Sequence, residues 1–242
     1  MILSAILTPL FFFVFGLILV IFHPIQVIAR NVFGPKAHDK TVFALNLCLM
    51  RALHILGVGY SFHNFKKLPK NVPVIIISNH QSMWDIPILI WKFRAHRPKF
   101  VAKKELAKGI PSISYNLRTG GSVSIDRKDP KGAILKIKAF AKLVKENCFA
   151  VCIFPEGTRS RDGKIKPFKV AGVKAIMDKI PEALVVPVAI KNTGIIDNSG
   201  KFLKNISVRV EFTQLEPRLL DFNNLESELI AINAEIKSVL ES

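Results

Sequence analysis

The chain predicts an α/β fold: a mixed, mostly parallel sheet flanked by helices, preceded by an N-terminal two-helix segment that associates with a membrane. Three observations carry this. Residues 74–77 are an unbroken β-branched run, Val-Ile-Ile-Ile, which reads as a strand buried on both faces. Further short apolar runs follow, separated by stretches with apolar residues at helical spacing; strands alternating with helices make a parallel sheet. Finally, residues 1–29 hold no Asp, Glu, Lys or Arg.

The elements follow in chain order. Residues 2–22 are almost wholly apolar, long enough for a bilayer crossing. Pro9 interrupts the run, so a kinked span or a re-entrant helix hairpin also fits. A cleaved signal peptide fits less well: there is no basic n-region, the apolar run is too long, and residues 27–30 lack a small-residue cleavage site. Arg30, Lys36 and Lys40 follow the anchor and place the remaining domain on the cytoplasmic side. Residues 42–60 form a second apolar stretch with Arg51 and His54, read as an interfacial or core-packing helix.

Strands are expected at 74–78, 99–102, 122–125, 150–154 and 184–190, with an antiparallel, edge-type strand at 206–212. Helices are expected at 82–93, 130–146, 170–179 and 225–240, and 106–118 is a Pro- and Gly-containing connection with some helix. Ile134, Ile137, Ala141 and Val144 set the helical period of the second of these helices. The organisation is thus residues 1–60 as membrane anchor and interfacial helices and 61–242 as the main α/β domain.

The formal net charge is +17, and half the residues are hydrophobic. Such a balance implies an anionic partner: nucleic acid, an anionic membrane surface or a phosphorylated substrate. The uncharged N-terminus favours the membrane. No RNA-binding aromatic pattern or DNA-binding motif is present, so no nucleic acid partner is expected. The cysteines, Cys48, Cys148 and Cys152, are odd in number and lack metal-ligand spacing, which argues for core packing in a reducing compartment.

Chemistry is concentrated where strands end. His80 and Asp85, four residues between them, follow the first strand. Imidazole titrates near neutral pH and can take a proton from an alcohol. A carboxylate on its other ring nitrogen fixes the tautomer and steadies the imidazolium. Positions five apart on a helix point about 140° away from each other, so the two meet only if His80 lies in the turn and Asp85 in the first helical turn. A locally capped histidine with a dipole-stabilised Asp85 is the plainer alternative.

Residues 154–160, Phe-Pro-Glu-Gly-Thr-Arg-Ser, leave another strand. The turn exposes backbone N–H groups, and Arg159 offers a guanidinium suited to phosphate. Arg161, Lys164, Lys166 and Lys169 add charge; a solvated basic loop is the alternative. Arg127 ends the strand Ser-Ile-Asp-Arg and is expected on the sheet edge that carries His80 and Glu156. Pro187, inside Val-Pro-Val, points to an edge or a bulge.

Together, Asn-His-x4-Asp, Ile-Asp-Arg, Phe-Pro-Glu-Gly-Thr-Arg-Ser and Val-Pro-Val, in that order, resemble the glycerolipid acyltransferase superfamily, and within it the lysophosphatidic acid acyltransferases. The resemblance spans about residues 70–190 plus the N-terminal helices, and Lys103-Lys104-Glu105-Leu106 with Pro111 also fits it. It implies a glycerol-3-phosphate acyltransferase-like fold and transfer of an acyl group from acyl-CoA or acyl-carrier protein to the sn-2 hydroxyl of 1-acyl-glycerol-3-phosphate. The product is phosphatidic acid, formed without a covalent acyl-enzyme, a metal or a cofactor. By the same resemblance His80 is the general base and Asp85 its orienting partner. Arg127, Glu156, Gly157, Thr158 and Arg159 hold the substrate phosphate, assisted by Lys103 or Lys104. Ser114 and Ser124 depart from the family pattern, which bears on acceptor and acyl preference. The turn opening the His80 helix is expected to supply oxyanion N–H donors.

The same chemistry on another lysolipid is the nearest alternative. A membrane serine esterase would use Ser122 in Gly-Gly-Ser-Val-Ser, which lacks the last glycine of a nucleophile elbow. A non-catalytic basic membrane- or nucleic-acid-binding protein is the third.

Overall fold

The computed structural model of the chain describes residues 2–160 and 162–241. Its first element, α1 (Ile2–Phe33), is one helix of 32 residues that runs through Pro9 and Pro24, about 48 Å at the usual rise. Gly34, in the left-handed region at φ 83°, turns the chain into α2 (Pro35–Ala52). The second apolar stretch thus starts earlier than its hydropathy indicates, at a proline suited to a first helical turn. Its buried face carries Val42, Leu45, Leu49 and Met50.

Helix α2 does not reach residue 60. A 3-10 turn at Leu53–Leu56 ends on Gly57 at φ 70°, and β1 (Gly59–His63) begins the sheet. The remaining strands are β2 (Val74–Ser78), β3 (Lys99–Lys103), β4 (Val123–Ile125), β5 (Ala150–Ile153), β6 (Leu184–Lys191) and β7 (Arg209–Gln214). Between them lie α3 (Asp85–Lys92), α4 (Ile113–Thr119), α5 (Pro130–Asn147), α6 (Val170–Met177), α7 (Thr193–Ile196) and the closing helix α8 (Leu225–Glu241).

The spatial order is β1-β7-β6-β2-β5-β3-β4. Strands β6, β2, β5, β3 and β4 are mutually parallel; β7 is antiparallel to β6 and parallel to β1. The sheet is mixed and mostly parallel, as the sequence predicts. Strand β7 is antiparallel as expected but is not an edge, because β1 covers its outer side. Pro187 is not on an edge either: β6 lies between β2 and β7. Beside it, Leu215 N–H donates to the Pro187 carbonyl (2.9 Å), and the next bridge joins Val185 to Arg218. Two β6 steps therefore face three on the neighbouring chain, a bulge where the absent N–H of proline costs no ladder bond.

Both sheet faces are covered. Val74 and Ile76 of β2 face a core shared with α2 and α3, while Ile75 and Ile77 face one built with α5, α6 and α8. This two-sided burial is why the β2 run shows no polar alternation. Helix α1 buries one stripe, including Phe11 and Leu19, and exposes Ile6, Leu10, Phe13, Leu17 and Ile21 on the other. It is long and apolar enough to cross a membrane.

Candidate active site

The carboxyl ends of the five parallel strands form the edge where an open α/β sheet binds its ligands. Strand β2 ends at Ser78, and the Asn79 side chain carries its pairing one step further: Nδ2–H donates to Ile190 O and Oδ1 accepts from Ile190 N, both at 2.8 Å. The chain then turns, and α3 opens on Asp85 itself. His80 thus stands in the turn and Asp85 in the first helical turn, the one arrangement that lets them meet. His80 Nδ1–H donates to Asp85 Oδ2 at 2.7 Å.

Asp85 is fully buried. Its Oδ2 also accepts from Gln81 N (2.9 Å) and Ser82 N (3.1 Å), and its Oδ1 accepts from Thr193 Oγ1 (2.5 Å). Such donors offset the cost of taking a carboxylate out of water. The His80 ring stacks on Phe154, with centroids 4.0 Å apart and planes at 14°. Its Nε2 has no partner among the described residues and is not sealed from solvent.

These bonds remove one expectation. The N–H groups of Gln81 and Ser82 are committed to Asp85, and that of His80 to Glu156 Oε1 (2.7 Å). The turn opening α3 therefore has none of these three to offer an oxyanion. Among the described residues, the backbone N–H groups of Thr158 and Arg159 have no protein acceptor.

Glu156 is buried, and its carboxylate points inward. While Oε1 holds His80 N–H, Oε2 accepts from Ser160 Oγ and from Lys166 N (3.0 Å). Ser160 N–H donates to His80 O at 2.7 Å. The Pro-Glu-Gly-Thr-Arg loop is thus fastened to the backbone of His80. Gly157 bends it at φ 71°, in the left-handed region. Thr158 is exposed and Arg159 half-buried, and the Arg159 guanidinium has no partner among the described residues. Arg161 lies outside the described residues.

The structure therefore gathers His80, Asp85, Glu156, Gly157, Thr158 and Arg159 around one loop pair. Arg127 is exposed at the end of β4 on the same edge, three strands from β2, about 14 Å across the sheet. Lys103 pairs with Glu105 at 3.4 Å, and Lys104 pairs with Asp126. That bond raises the Lys104 ammonium above its ordinary value and lowers the Asp126 carboxyl.

Asn79 and Phe154, the first residues of their motifs, join the site, and so does Thr193, which lies outside every motif. Polar residues just past the end of β6, in Lys-Asn-Thr-Gly, were the available signal for Thr193. Ser114 ties its loop by accepting from Ile110 N (3.0 Å) and donating to Leu106 O (2.9 Å); the Ser124 hydroxyl is buried with no partner among the described residues.

Ser122 accepts from Phe100 N (3.1 Å) just before β4, the outermost strand, three strands from β2. Burial, and then the charge of Asp85, push the Cys152 thiol well up, away from its reactive thiolate form. No cluster of metal-ligating side chains occurs among the described residues.

The site is thus a histidine–carboxylate pair and an arginine-bearing loop at the carboxyl edge of a mixed, mostly parallel sheet, and comparison with known proteins places that arrangement in an acyltransferase class. The family model described as Acyltransferase matches residues 60–191, more than half of the 242 residues, and the chain belongs to that family. It is 37% identical over 154 residues to a 1-acyl-sn-glycerol-3-phosphate acyltransferase of Helicobacter pylori, covering 62% of this chain and 61% of that one. It is 36% identical over 150 residues to the chloroplastic 1-acyl-sn-glycerol-3-phosphate acyltransferase BAT2 of Brassica napus, covering 60% of this chain and 41% of that one. The match thus spans less than two thirds of either relative. The crystal structure of the 1-acyl-sn-glycerophosphate (LPA) acyltransferase PlsC from Thermotoga maritima is similar with a TM-score of 0.79 at 25% identity, over 98% of this chain and 95% of that one.

Proposed function

We propose that the protein is a membrane-associated lysophosphatidate acyltransferase. It moves an acyl group from acyl-CoA or acyl-carrier protein to the free sn-2 hydroxyl of 1-acyl-glycerol-3-phosphate, yielding phosphatidic acid. The observation that carries this reading is the His80 ring, with Nδ1 bound to a buried carboxylate, Nε2 open among the described residues, and the Arg159 guanidinium, unpaired among the same residues, on the loop fastened to its backbone.

The acceptor phosphate lies with Arg159, the Gly157–Thr158 backbone and the more distant Arg127; Lys103 and Lys104 flank it. The acceptor hydroxyl donates to His80 Nε2. As its oxygen attacks the thioester carbonyl, the proton passes to Nε2, and the imidazolium is steadied by Asp85. The open N–H groups of Thr158 and Arg159 are the donors left to meet negative charge. Collapse of the tetrahedral intermediate breaks the C–S bond, and the thiolate leaves with the proton from His80. The thioester is already activated, so the step calls for no protein nucleophile, metal or cofactor. The edge faces the cytoplasmic side of the membrane, where acyl thioesters reside. Glu156 enters this reading as a support for His80, since an inward carboxylate repels a phosphate.

Membranes holding the protein or its His80→Ala variant, assayed with acyl-CoA and acyl-carrier protein against a panel of lysophospholipids, test the proposal. Lysophosphatidate is expected to be the preferred acceptor, and His80→Ala to lower kcat by roughly 10²–10⁴. Undiminished turnover by a folded His80→Ala protein refutes the base assignment; preference for another lysolipid refutes the acceptor.

A further inference from the structure

We infer that Thr193, outside all four sequence motifs, is a positioning residue for the base pair: its hydroxyl holds Asp85 in the orientation that keeps His80 Nδ1 protonated and Nε2 free to accept. The inference rests on the acyl-transfer reading above. Thr193 opens α7, two residues after β6 ends. Asn192, at φ 72°, turns the chain so that the following side chain lies over Asp85. Thr193 is fully buried, and its Oγ1 is 2.5 Å from Asp85 Oδ1.

A hydroxyl has one proton to give, and at 2.5 Å from a carboxylate that proton belongs to the bond with Asp85. The three donors on Oδ2 come from residues 80–82, the turn that Asp85 itself closes. They hold one oxygen and leave the carboxyl plane free to swing about it. Thr193 is the only donor on the other oxygen among the described residues, and it comes from a different segment, the start of α7 just past β6. It thereby fixes the plane and fills a site that would otherwise be an unsatisfied buried acceptor. The Gln81 amide oxygen, 3.4 Å from both Thr193 Oγ1 and Gly194 N, braces the turn from the His80 side. The Val-Pro-Val strand thereby acquires a role in the site, since it delivers Thr193.

The full-length protein is compared with Thr193→Val, Thr193→Ser and His80→Ala. Thr193→Val keeps the shape and removes the donor; kcat is expected to fall roughly 10- to 100-fold, the worth of one bond to a charged group. The KM values for donor and acceptor are expected to stay within about twofold, because Thr193 touches neither. Thr193→Ser restores most of kcat. In the proton NMR spectrum the low-field His80 Nδ1–H resonance moves in Thr193→Val and returns in Thr193→Ser. If the valine variant does not fold, Thr193→Cys, a weak donor of similar size, carries the same expectations. Native kcat in folded Thr193→Val, or equal losses in the valine and serine variants, overturns the inference. Full turnover by His80→Ala instead overturns the reading beneath it, so the two failures are distinguishable.

Discussion

Glu156 shows how far a motif can be read without its geometry. In sequence it stands among phosphate-binding candidates; in the fold its carboxylate collects His80 N–H, Ser160 Oγ–H and Lys166 N–H. Glu156→Gln keeps the size but replaces one acceptor oxygen with a donor, so a backbone N–H, of His80 or of Lys166, loses its acceptor whichever way the amide turns. The expected cost is about 1–3 kcal/mol of stability, read as a lower Tm, with a fall in kcat and no change in acceptor KM. A raised acceptor KM with unchanged Tm would return Glu156 to the phosphate site. His80 and Asp85 were legible because the distance between them admits one local geometry. The inward turn of Glu156 and the reach of Thr193 were not. Both depend on contacts across strands, Glu156 to His80 and Thr193 to Asp85, that no local pattern encodes.

At the scale of elements, the strands buried on both faces and the helices with clear periods were legible, and the N-terminal boundary was not. Apolar residues run on from α2 into β1, and the helix period yields to a strand only at the Gly57-Val58-Gly59 break. The same limit applied to β7, whose alternation is that of an edge strand until β1 is placed beside it. Helix α1 carries two kinds of apolar residue that hydropathy cannot separate. Phe11 is fully buried and meets Trp84 edge-on at 5.3 Å, next to the base pair. Ser4 and Thr8 bond the backbone of Lys204, whose ammonium approaches Asp197, the acceptor for Ser82 and Trp84. Phe13 on the opposite stripe is 69% exposed. Phe11→Ala is expected to cost about 3–5 kcal/mol and to lower activity in detergent, where no bilayer is involved. Phe13→Ala is expected to leave Tm and detergent activity unchanged while weakening recovery with vesicles in flotation. Equal effects of the two substitutions would show that α1 has no seated face.

At the scale of the whole molecule, charge and apolarity are segregated. The first 29 residues carry no charged side chain, so the entire +17 lies beyond them. Some cations are tied up locally, as Lys138 is with Asp178 and Lys145 with Glu182. Arg127 and Arg159 on the carboxyl edge have no such partner among the described residues. An apolar helix binds a bilayer with little regard for salt, whereas attraction of exposed cations to anionic headgroups falls once the Debye length shrinks, from about 10 Å at 0.1 M to about 3 Å at 1 M. The two contributions therefore separate on one axis. Raising salt across that range is expected to weaken binding to vesicles rich in anionic lipid several-fold, down to the level seen on neutral vesicles, where salt has little effect. The apparent KM for lysophosphatidate is expected to rise over the same range, since its phosphate is drawn by the same edge. The kcat at saturating substrate is expected to hold, because the His80–Asp85 bond is buried and screened little. A kcat that fell with salt while KM stayed level would place the charge dependence in the chemical step and contradict this division between an electrostatic edge and a shielded pair.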